Sequence, residues 1–592
     1  PPFQQTHTPS PATAYLKRFL NTLAIPSRHV DLGIEVNQTL FSNKGLSQLF
    51  ERINGPSKSY SDNVNRIIAL QSSYITVIDP VMRFLEGSNP DLAYLIVQEN
   101  YLPEAARFDQ IDDLEWAFGN MGIHDKARHL ATLFLEDISD LIVETTDEHF
   151  GFSRYAERLG QSASSFDDIE AQLQSTETYV EEIMLGHLKE AILTYQPTLV
   201  AISVPFPGSL YMALKCGQWI KQHAPETKVV IGGGYPNTEL RSLKDPRVFD
   251  YLDFITLDDG EVPLQLLLEY LDDKRNQSEL KRTFMRLDGK VVFLDGAQEA
   301  DIPQRLTGTP DYTDLALGKY VSVIEVPNPM HRLWSDGRWN KLTLAHGCYW
   351  GKCTFCDISL DYIQRYEPMN AALICDRIET LIAQTGQNGF HFVDEAAPPS
   401  LLKALAIEIL KRKLTVVWWT NIRFEKNFTP DLCKLLAASG CIAVSGGLEV
   451  ASDRLLKLIQ KGVTVRQVTQ VANAFTQAGV MVHAYLMYGF PTQTAQETID
   501  SLEVVRQLFM HEVIQSGFWH QFAMTAHSPI GLDPELFKVK ALVSEQGTFA
   551  NNDLPHTDEA DEHLRYSKGL KKSLFNYMHG VCFDFDLQDW FE

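Results

Sequence analysis

The sequence lacks any apolar run of the roughly 18 residues that a membrane-spanning helix needs, and an apolar stretch such as 199–206 has only the length of a buried strand. We therefore expect no membrane span. Positive charge is also in short supply, because 52 Lys and Arg residues face 76 Asp and Glu residues and leave a net charge of −24. A surface of this sign repels a phosphate backbone, so we expect no nucleic-acid partner.

Cysteine is scarce as well, with eight residues in the chain, and three of them lie within nine positions. A secreted disulfide framework has a different spacing, so the grouping favours a metal site in a reducing compartment and a cytoplasmic location. The other five cysteines lie in apolar patterns and are expected to be buried, unreactive thiols: Cys216, Cys375, Cys433, Cys441 and Cys582. Because the chain begins with Pro1 rather than Met, we expect its natural N-terminus to be missing, and its start leaves a signal peptide open.

The chain is too long for a single hydrophobic core and should divide into roughly three to four domains. Two series of alternating strands and helices place it in the α/β class. The expected divisions are a Rossmann-like domain at 1–272 with a helical insertion at about 38–190, a bridge at 273–340, a barrel at 341–530 and a small C-terminal region at 531–592.

The first series predicts a doubly wound parallel sheet. Its strands are predicted at 198–204, 228–231 and 254–257, and its helices at 210–223 and 262–271. A helix at 11–23 and a strand at 29–36 are predicted ahead of the insertion, which itself shows helical patterns such as 130–141 and 179–193. Within the bridge, Asp288-Gly289 predicts a hairpin between strands at 284–287 and 291–294.

The second series predicts six βα units and therefore a parallel, partly closed (β/α)6 barrel. Its strands are predicted at 342–345, 389–393, 416–419, 442–445, 481–487 and 518–524, and a further helix at 562–578 follows in the C-terminal region. Reactive groups of such a barrel should lie at the carboxyl ends of its strands.

A cysteine-rich loop follows the first predicted barrel strand and contains Cys348, Cys353 and Cys356. Three thiolates on one loop can hold three irons of a 4Fe-4S cluster and leave the fourth iron open to the amino and carboxylate groups of S-adenosylmethionine (SAM). The alternative is a zinc knuckle with His346 as the fourth ligand, although zinc-binding C-x2-C pairs usually occur twice. The position of the loop at the start of a βα series favours the iron–sulfur cluster.

This loop resembles the cysteine motif of the radical SAM superfamily, whose usual spacing is C-x3-C-x2-C, whereas this chain has C-x4-C-x2-C. Gly351 is expected to absorb the extra residue, since glycine adopts backbone conformations closed to other residues. The resemblance implies that an external flavodoxin- or ferredoxin-type donor reduces the cluster, which then splits SAM into a 5′-deoxyadenosyl radical. It also implies that Phe355 packs near the adenine, with ordinary loop packing as the alternative.

Other barrel strand ends carry residues that the same resemblance assigns to SAM. Asp394 or Glu395, after the second strand, would accept hydrogen bonds from the ammonium, and a helix N-cap is the alternative for Asp394. Asn421 and Arg423, after the third strand, would bind the carboxylate, with a surface salt bridge as the alternative for Arg423.

Two further strand ends complete the expected SAM site. Glu449, which ends the fourth strand, resembles the ribose-binding segment of the family and would accept from the ribose hydroxyls. Gly489, after the fifth strand, belongs to a Gly-Phe-Pro turn whose backbone would approach the adenine closely.

The N-terminal sheet resembles the cobalamin-binding domain that precedes the barrel in one class of radical SAM enzymes. Open α/β sheets bind ligands at the carboxyl edge of their strands. The resemblance assigns the following strand-end residues to cobalamin: Ser203, Val204, Gly232, Gly233, Gly234, Tyr235, Gly260 and Glu261. The Asp-x-His-x-x-Gly signature is missing, so the cobalamin base is expected to be displaced, with no histidine of this domain on cobalt.

Late barrel residues leave two interpretations open. His483, His520 and His527 could face substrate as acid–base groups, or they could be satisfied core or rim histidines. The pair Trp418-Trp419 and Trp519 could shield a radical cavity or simply pack in the core.

The resemblance implies a cobalamin-dependent radical SAM methyltransferase that modifies an unactivated carbon of a small molecule or peptide. One rival keeps both cofactors but catalyses an oxidation, rearrangement or cyclisation without methyl transfer. Another rival is a metal-binding scaffold without turnover.

Overall fold

The computed structural model describes residues 5–53, 59–98, 100–113, 122–152, 157–160, 163–336, 338–542, 547–558 and 563–591. Helices surround two main sheets, as the expected α/β class requires. Among the described residues, no helix has the length and apolar character needed to cross a membrane.

The first 195 residues form helices only, within the part that the structure describes. These helices are α1 (Pro11–Thr22), α2 (Leu32–Leu40), α3 (Asn43–Ile53), α4 (Asp62–Ala69), α5 (Gln71–Leu85), α6 (Ala93–Ile96), α7 (Ile123–Thr145), α8 (Glu157–Gly160), α9 (Asp167–Leu173) and α10 (Tyr179–Tyr195). The apolar faces of α2 to α10 share one hydrophobic core with the N-terminal sheet, whereas Leu16 and Leu20 of α1 pack against a second apolar cluster of that sheet.

The strand predicted at 29–36 is wrong, because α2 occupies most of this stretch. The Asp31 carboxylate caps the helix by accepting hydrogen bonds from the backbone N–H groups of Gly33 and Ile34, at 3.0 and 3.3 Å. The alternating apolar residues that suggested a strand lie on a helix whose buried side includes Val36 and Leu40.

The N-terminal sheet has five strands in the order β1-β2-β3-β4-β5. They are β1 (Leu199–Ser203), β2 (Lys228–Gly232), β3 (Phe254–Thr256), β4 (Thr283–Leu287) and β5 (Lys290–Leu294). The helices that follow the first three strands are α11 (Leu210–His223), α12 (Gly234–Glu239) and α13 (Glu261–Leu271). The first three strands are parallel, as predicted.

The predicted hairpin is present, and it extends the N-terminal sheet because β4 pairs antiparallel with β3 and β5 pairs with β4. Asp288 and Gly289 at its turn both have positive φ, at 47° and 77°, as a type I′ hairpin turn requires.

The second sheet has six parallel strands in the order β13-β12-β11-β10-β9-β6. Counting the short pair β7 and β8, the strands are β6 (Asn340–Leu342), β7 (Ala345–His346), β8 (Glu367–Pro368), β9 (Gly389–Phe392), β10 (Val417–Ile422), β11 (Cys441–Glu449), β12 (Met481–Tyr488) and β13 (Ser516–Gln521). All six predicted barrel strands have a counterpart, although the first lies slightly earlier than predicted. In the described residues β6 and β13 do not pair, so the barrel is only partly closed.

Helices connect the barrel strands and cover their outer face. They are α14 (Asp361–Gln364), α15 (Ala371–Thr385), α16 (Pro399–Arg412), α17 (Pro430–Ala438), α18 (Asp453–Leu458), α19 (Val465–Gln477) and α20 (Ala495–Met510). Alternate strand residues such as Phe392, Trp418 and Leu486 pack outward in this core. Their neighbours in sequence therefore face the barrel interior.

The C-terminal region adds α21 (Pro529–Leu532), β14 (Val539–Ala541), β15 (His556–Asp558) and α22 (Ser567–Met578). The predicted helix at 562–578 is confirmed as α22, which begins at Ser567; Glu562 lies outside the described residues. A segment between β14 and β15, residues 547–552, docks on distant parts of the chain. Its Thr548 carbonyl accepts from the backbone N–H groups of Lys244 and Asp245, and Thr548 N donates to Ser164 O at 2.8 Å.

Candidate active site

The cysteine loop is held at both ends by the small antiparallel pair of β7 and β8. His346 pairs with Glu367, and Cys348 N donates to Ile363 O at 3.0 Å. Gly347 has φ of +72°, and a Cβ there would lie 2.1 Å from Arg365 O. The first cysteine is therefore fixed by backbone contacts rather than by a free loop.

The extra residue between the first two cysteines is accommodated by Gly351 and Trp350. Gly351 has φ of +56°, the left-handed conformation expected for it. The Trp350 indole N–H donates to Gln460 O at 2.9 Å, and its ring lies 4.3 Å from the Arg423 guanidinium carbon. A Cβ on Gly462 would come within 2.2 Å of this ring, so glycine there makes the contact possible.

The three loop cysteines are free thiols, with Cys353 buried and the other two partly exposed. A hydrogen bond with the Cys356 thiol, together with the positive charges of Lys461 and Arg423, lowers the pKa of Cys353 to about 6. The same hydrogen bond, with burial, raises the pKa of Cys356. The positive charges of Lys461 and Arg423 thus stabilise a thiolate at Cys353, the form in which cysteine binds a metal cluster.

His346 does not join the cysteines as a zinc ligand. Its Nδ1 lies 2.8 Å from Arg365 O, and its Nε2 lies 3.1 Å from an oxygen of Asp259. The sulfurs of one tetrahedral zinc would lie about 3.8 Å apart. Among the described residues, the group of metal-ligand atoms that approach within 4.8 Å of one another is Asp259, His346 and Asp361, without the cysteines. With His346 engaged elsewhere, the described residues do not form the zinc knuckle of three cysteines and His346.

Asp394 and Glu395 occupy different environments. The Asp394 carboxylate is buried and accepts from the backbone N–H groups of Leu344 and Ala345, the closest at 2.6 Å. It therefore ties the end of β9 to the start of the cysteine loop, and it is not a helix N-cap, since Pro398 precedes α16. Burial raises its pKa to about 7. Glu395 is exposed at the same strand end, so it is the carboxylate of the pair that is open to a ligand.

Asn421 lies beside this carboxylate pair. Its side-chain amide donates to Asp394 O at 3.1 Å, and its Oδ1 accepts from the Tyr485 hydroxyl at 3.4 Å. Asn421 therefore has one hydrogen-bond partner just beyond the end of β9 and another on β12.

Arg423 and Glu449 are both buried, and each has a charged neighbour. Arg423 Nε lies 3.1 Å from Glu425 Oε1, and the guanidinium also donates to Lys461 O at 2.5 Å. Arg423 does form an ion pair, with Glu425, but the alternative of a surface salt bridge is wrong because the Arg423 side chain is only 5% exposed. Glu449 pairs with Lys461 at 2.5 Å.

Lys461 is a candidate site residue that the sequence analysis missed. It lies on the loop after α18 rather than at the end of a strand, and no sequence motif marks it. Its ammonium lies beside Glu449 and 5.7 Å from the Phe355 ring centroid, and it adds positive charge near the cysteines. Phe355 itself packs against the apolar cluster that includes Ile459 and Phe490. Gly489, predicted to approach the adenine, has φ of +76° at the end of β12.

The residues assigned to cobalamin divide into buried side chains and accessible strand ends. Val204, Tyr235 and Glu261 are buried, and the Tyr235 hydroxyl donates to Gly160 O at 2.8 Å. The following residues are at least partly exposed at the edge of the sheet: Ser203, Gly232, Gly233, Gly234 and Gly260. A planar ligand at this edge would therefore contact mainly backbone and the Ser203 hydroxyl.

The glycines of this edge also serve packing. A Cβ on Gly233 would lie 3.0 Å from Val204 O, and one on Gly234 would lie 2.6 Å from Pro205 O. Glycine allows the two strand-end loops to touch, which the sequence alone did not indicate.

The edge of the N-terminal sheet faces the barrel mouth. Asp259, after β3, contacts His346 and forms an ion pair with Arg365, both of which flank the cysteine loop. On the other side His527 Nε2 lies 3.1 Å from Thr238 O. The expected cobalamin edge and the cysteine loop are therefore brought together by direct contacts.

The model of the radical SAM superfamily matches residues 342–505, which contain the three loop cysteines and strands β9 to β12. The barrel is a radical SAM domain. This match covers less than a third of the chain.

Two curated relatives are similar to a little more than half of the chain. The chain is 22% identical over 330 residues to an uncharacterized methyltransferase of Pyrococcus horikoshii, a match that covers 55% of this chain and 68% of that protein. It is 25% identical over 336 residues to an anaerobic magnesium-protoporphyrin IX monomethyl ester cyclase of Rubrivivax gelatinosus, covering 54% of this chain and 56% of the cyclase. The chain thus spans little more than half the length of the cyclase.

Among solved structures, the cobalamin-dependent S-adenosylmethionine radical enzyme OxsB with aqua-cobalamin bound matches with a TM-score of 0.52 and 14% identity. The match covers 68% of this chain and 60% of OxsB. It therefore extends beyond the radical SAM domain and confirms the α/β fold.

The late histidines and tryptophans of the radical SAM domain separate into interior and core positions. His483 is buried, and its Nδ1 lies 3.0 Å from Ser516 Oγ; burial lowers its pKa to about 3. His520 and His527 are partly buried near the rim. Trp418 and Trp519 pack in the outer core, whereas Trp419 faces the interior.

Four of the five remaining cysteines are buried, as expected, and burial raises the pKa of Cys216 to about 11. The expectation is wrong for Cys582, which is exposed beyond the end of α22. Its apolar neighbours in sequence belong to a surface segment rather than to a helix or strand.

Proposed function

We propose that this protein is a radical SAM enzyme that holds a 4Fe-4S cluster on Cys348, Cys353 and Cys356. The observation that carries the proposal is the set of three free thiols on a backbone-anchored loop, with Lys461 and Arg423 beside them. When bound, the cluster supplies the electron that splits SAM into methionine and a 5′-deoxyadenosyl radical.

The surrounding residues would bind and orient SAM. Glu395, exposed at the end of β9, would accept from the ammonium, since the Asp394 carboxylate is already committed to backbone N–H groups. Asn421 and Arg423 would approach the SAM carboxylate, and Glu449 would accept from the ribose hydroxyls while Lys461 balances its charge.

The edge of the N-terminal sheet is proposed to hold cobalamin, through backbone groups of the glycine-rich strand ends and the Ser203 hydroxyl. When bound there, cobalamin would carry the methyl group for transfer to an unactivated carbon of a small molecule or peptide. Support comes from the glycine-lined edge that faces the cysteine loop, from the fold shared with OxsB, and from the relative named as a methyltransferase.

An open cluster is sensitive to oxygen, so we propose a reducing, cytoplasmic setting and an external flavodoxin- or ferredoxin-type electron donor. These two elements follow from the chemistry of the cluster.

The first experiment is anaerobic reconstitution with iron and sulfide, followed by electron paramagnetic resonance and measurement of 5′-deoxyadenosine with reductant and SAM. Alanine at any one of the three loop cysteines is expected to abolish both signals. Cys582→Ala, at an exposed thiol elsewhere, is the matched control and should retain them. Absence of iron–sulfur signals from the unmodified protein would favour a scaffold without turnover.

A second candidate function is a radical oxidation, rearrangement or cyclisation with the same cofactors, favoured by the similarity to the cyclase. SAM labelled with deuterium in its methyl group separates the two, because label reaches the product only in methyl transfer. A product that forms with 5′-deoxyadenosine but without label would overturn the methyltransferase proposal.

A further inference from the structure

Stacked side-chain rings close the barrel interior on the side away from the carboxyl ends of its strands; we call this layer the floor. His391 and Trp419, on adjacent strands, stack with ring centroids 3.5 Å apart, and Trp334 lies 4.6 Å from His483 and 5.9 Å from Trp419. Buried Met330 packs with Trp419. This floor prevents a ligand from passing through the barrel, so a molecule that enters from the mouth must stop above it.

Two aromatic side chains stand above this floor. Tyr485 and Phe518 are register partners on β12 and β13, and Tyr485 lies two residues beyond His483 on the same strand face. The Tyr485 hydroxyl reaches Asn421 on β10, across the intervening strand β11, which places this face in the interior. Tyr485 is nonetheless 36% exposed and Phe518 57% exposed. Large aromatic surfaces exposed in a concave site indicate a ligand that covers them.

The layer that contains these rings offers few charges to a ligand. Among the described residues of the interior, the rim charges are paired, Glu449 with Lys461 at 2.5 Å and Arg423 with Glu425 at 3.1 Å. Lys341, at the level of the floor, is buried and donates to Gln5. Glu395 is reserved for SAM under the proposed function. The polar groups at this level include the Asn421 amide, the Tyr485 hydroxyl and the Ser445 hydroxyl, since Ser445 is the register partner of both Asn421 and His483. His520 lies two residues beyond Phe518 on the same face of β13.

We propose that the interior above the floor binds an uncharged, planar unsaturated ring of the substrate. One ring face would lie against Phe518 and Tyr485, and a polar edge would meet Asn421 and the Tyr485 hydroxyl. A charged group would lose its hydration at this depth, and Lys341, the cation described at the level of the floor, is itself buried and bonded to Gln5. This inference rests on the proposed function, because it places the ring beneath the SAM site.

Binding of two dyes that differ in charge tests the proposal. Uncharged N-phenyl-1-naphthylamine and its sulfonated analogue 8-anilinonaphthalene-1-sulfonate would be titrated by fluorescence into the cluster-loaded full chain without SAM. We expect the uncharged dye to bind at least about tenfold more tightly, and Phe518→Ala to weaken its binding roughly five- to tenfold. Phe585→Ala, at a ring that is 44% exposed in the C-terminal region, should change nothing.

A variant that introduces a charge provides the second part of the test. Phe518→Lys places a cation in the same layer, so it should strengthen binding of the sulfonated dye and weaken binding of the uncharged one. Equal affinity of both dyes for the unmodified protein, or an unchanged affinity in Phe518→Ala, would overturn the proposal. Formation of 5′-deoxyadenosine is measured separately, so loss of that reaction with the expected dye pattern would count only against the radical function.

Discussion

The Nε2 atom of His346 lies 3.1 Å from a carboxylate oxygen of Asp259, which joins the cysteine loop to the end of a strand in the other sheet. Arg365 forms an ion pair with the same carboxylate and lies 3.6 Å from Asp361. The guanidinium therefore neutralises the acidic group that could otherwise attract a cation. The contact sets the distance between the two expected cofactor sites.

Asp259→Asn should weaken this junction, because a neutral amide loses the charge-assisted bonds to His346 and Arg365. We expect a loss of about 2 kcal/mol in the free energy of unfolding of the cofactor-free chain, measured by urea denaturation. Asp250→Asn removes the exposed ion pair with Arg286 and is the matched control, with an expected change of about 0–1 kcal/mol. Equal effects of the two substitutions would show that the Asp259 contact does not fasten the sheets.

Glu395→Gln should raise the dissociation constant of SAM about tenfold, since a neutral amide cannot pair with the ammonium. Isothermal titration with the cluster-loaded protein measures this change. Glu535→Gln, at an exposed position beyond the barrel, should leave the affinity unchanged. Asp394→Asn should instead lower stability, because its buried carboxylate accepts from two backbone N–H groups.

Lys461→Met should destabilise the cofactor-free chain by about 3–5 kcal/mol, because it leaves the Glu449 carboxylate buried without a counter-charge. The double variant Lys461→Met with Glu449→Gln should recover much of this loss. Urea denaturation of the three proteins forms the test. A single variant that loses less than about 1 kcal/mol would mean that Glu449 reaches water.

Glu261 should make stability depend on pH. Burial and the nearby charge of Asp259 raise the pKa of its carboxyl to about 7, above its ordinary value of 4.5. The folded chain then keeps this proton between about pH 4.5 and 7 while the unfolded chain loses it, so the free energy of unfolding falls as pH rises through this window. The loss reaches roughly 3 kcal/mol above pH 7.

Glu261→Gln should remove this contribution to the pH dependence of the free energy of unfolding, and the variant should be more stable than the unmodified protein at pH 8. Thermal unfolding of both proteins at pH 5, 6, 7 and 8 would measure this difference in stability. Parallel curves for the two proteins would contradict a buried, protonated Glu261.

The strands and the cysteine loop could be predicted because their signals are local. Alternation of apolar runs with helices located all six barrel strands, and the spacing of three cysteines marked the loop. The helix at Leu32–Leu40 was missed because its apolar residues also alternate, and only the Asp31 cap distinguishes the two states. The predicted domain limits and the roles of individual site residues remain predictions.

Long-range partners explain what the sequence could not provide. The role of Asp394 depends on two N–H groups about fifty positions away, and the importance of Lys461 depends on a glutamate of another strand. Neither of these contacts produces a recognisable pattern in the sequence. Trp418 and Trp419 are adjacent in sequence yet face opposite sides of the sheet, which strand alternation predicts once the strand is known.

Residues 547–552, in the C-terminal region, form backbone hydrogen bonds with distant residues of the N-terminal half of the chain. Thr548 bonds both to Ser164 and to the backbone at Lys244 and Asp245, and Asn551 N donates to Glu239 O at 3.0 Å. During synthesis these bonds form only after the whole radical SAM domain has emerged. We therefore expect the C-terminal region to dock on the N-terminal domain last, after both sheets have formed.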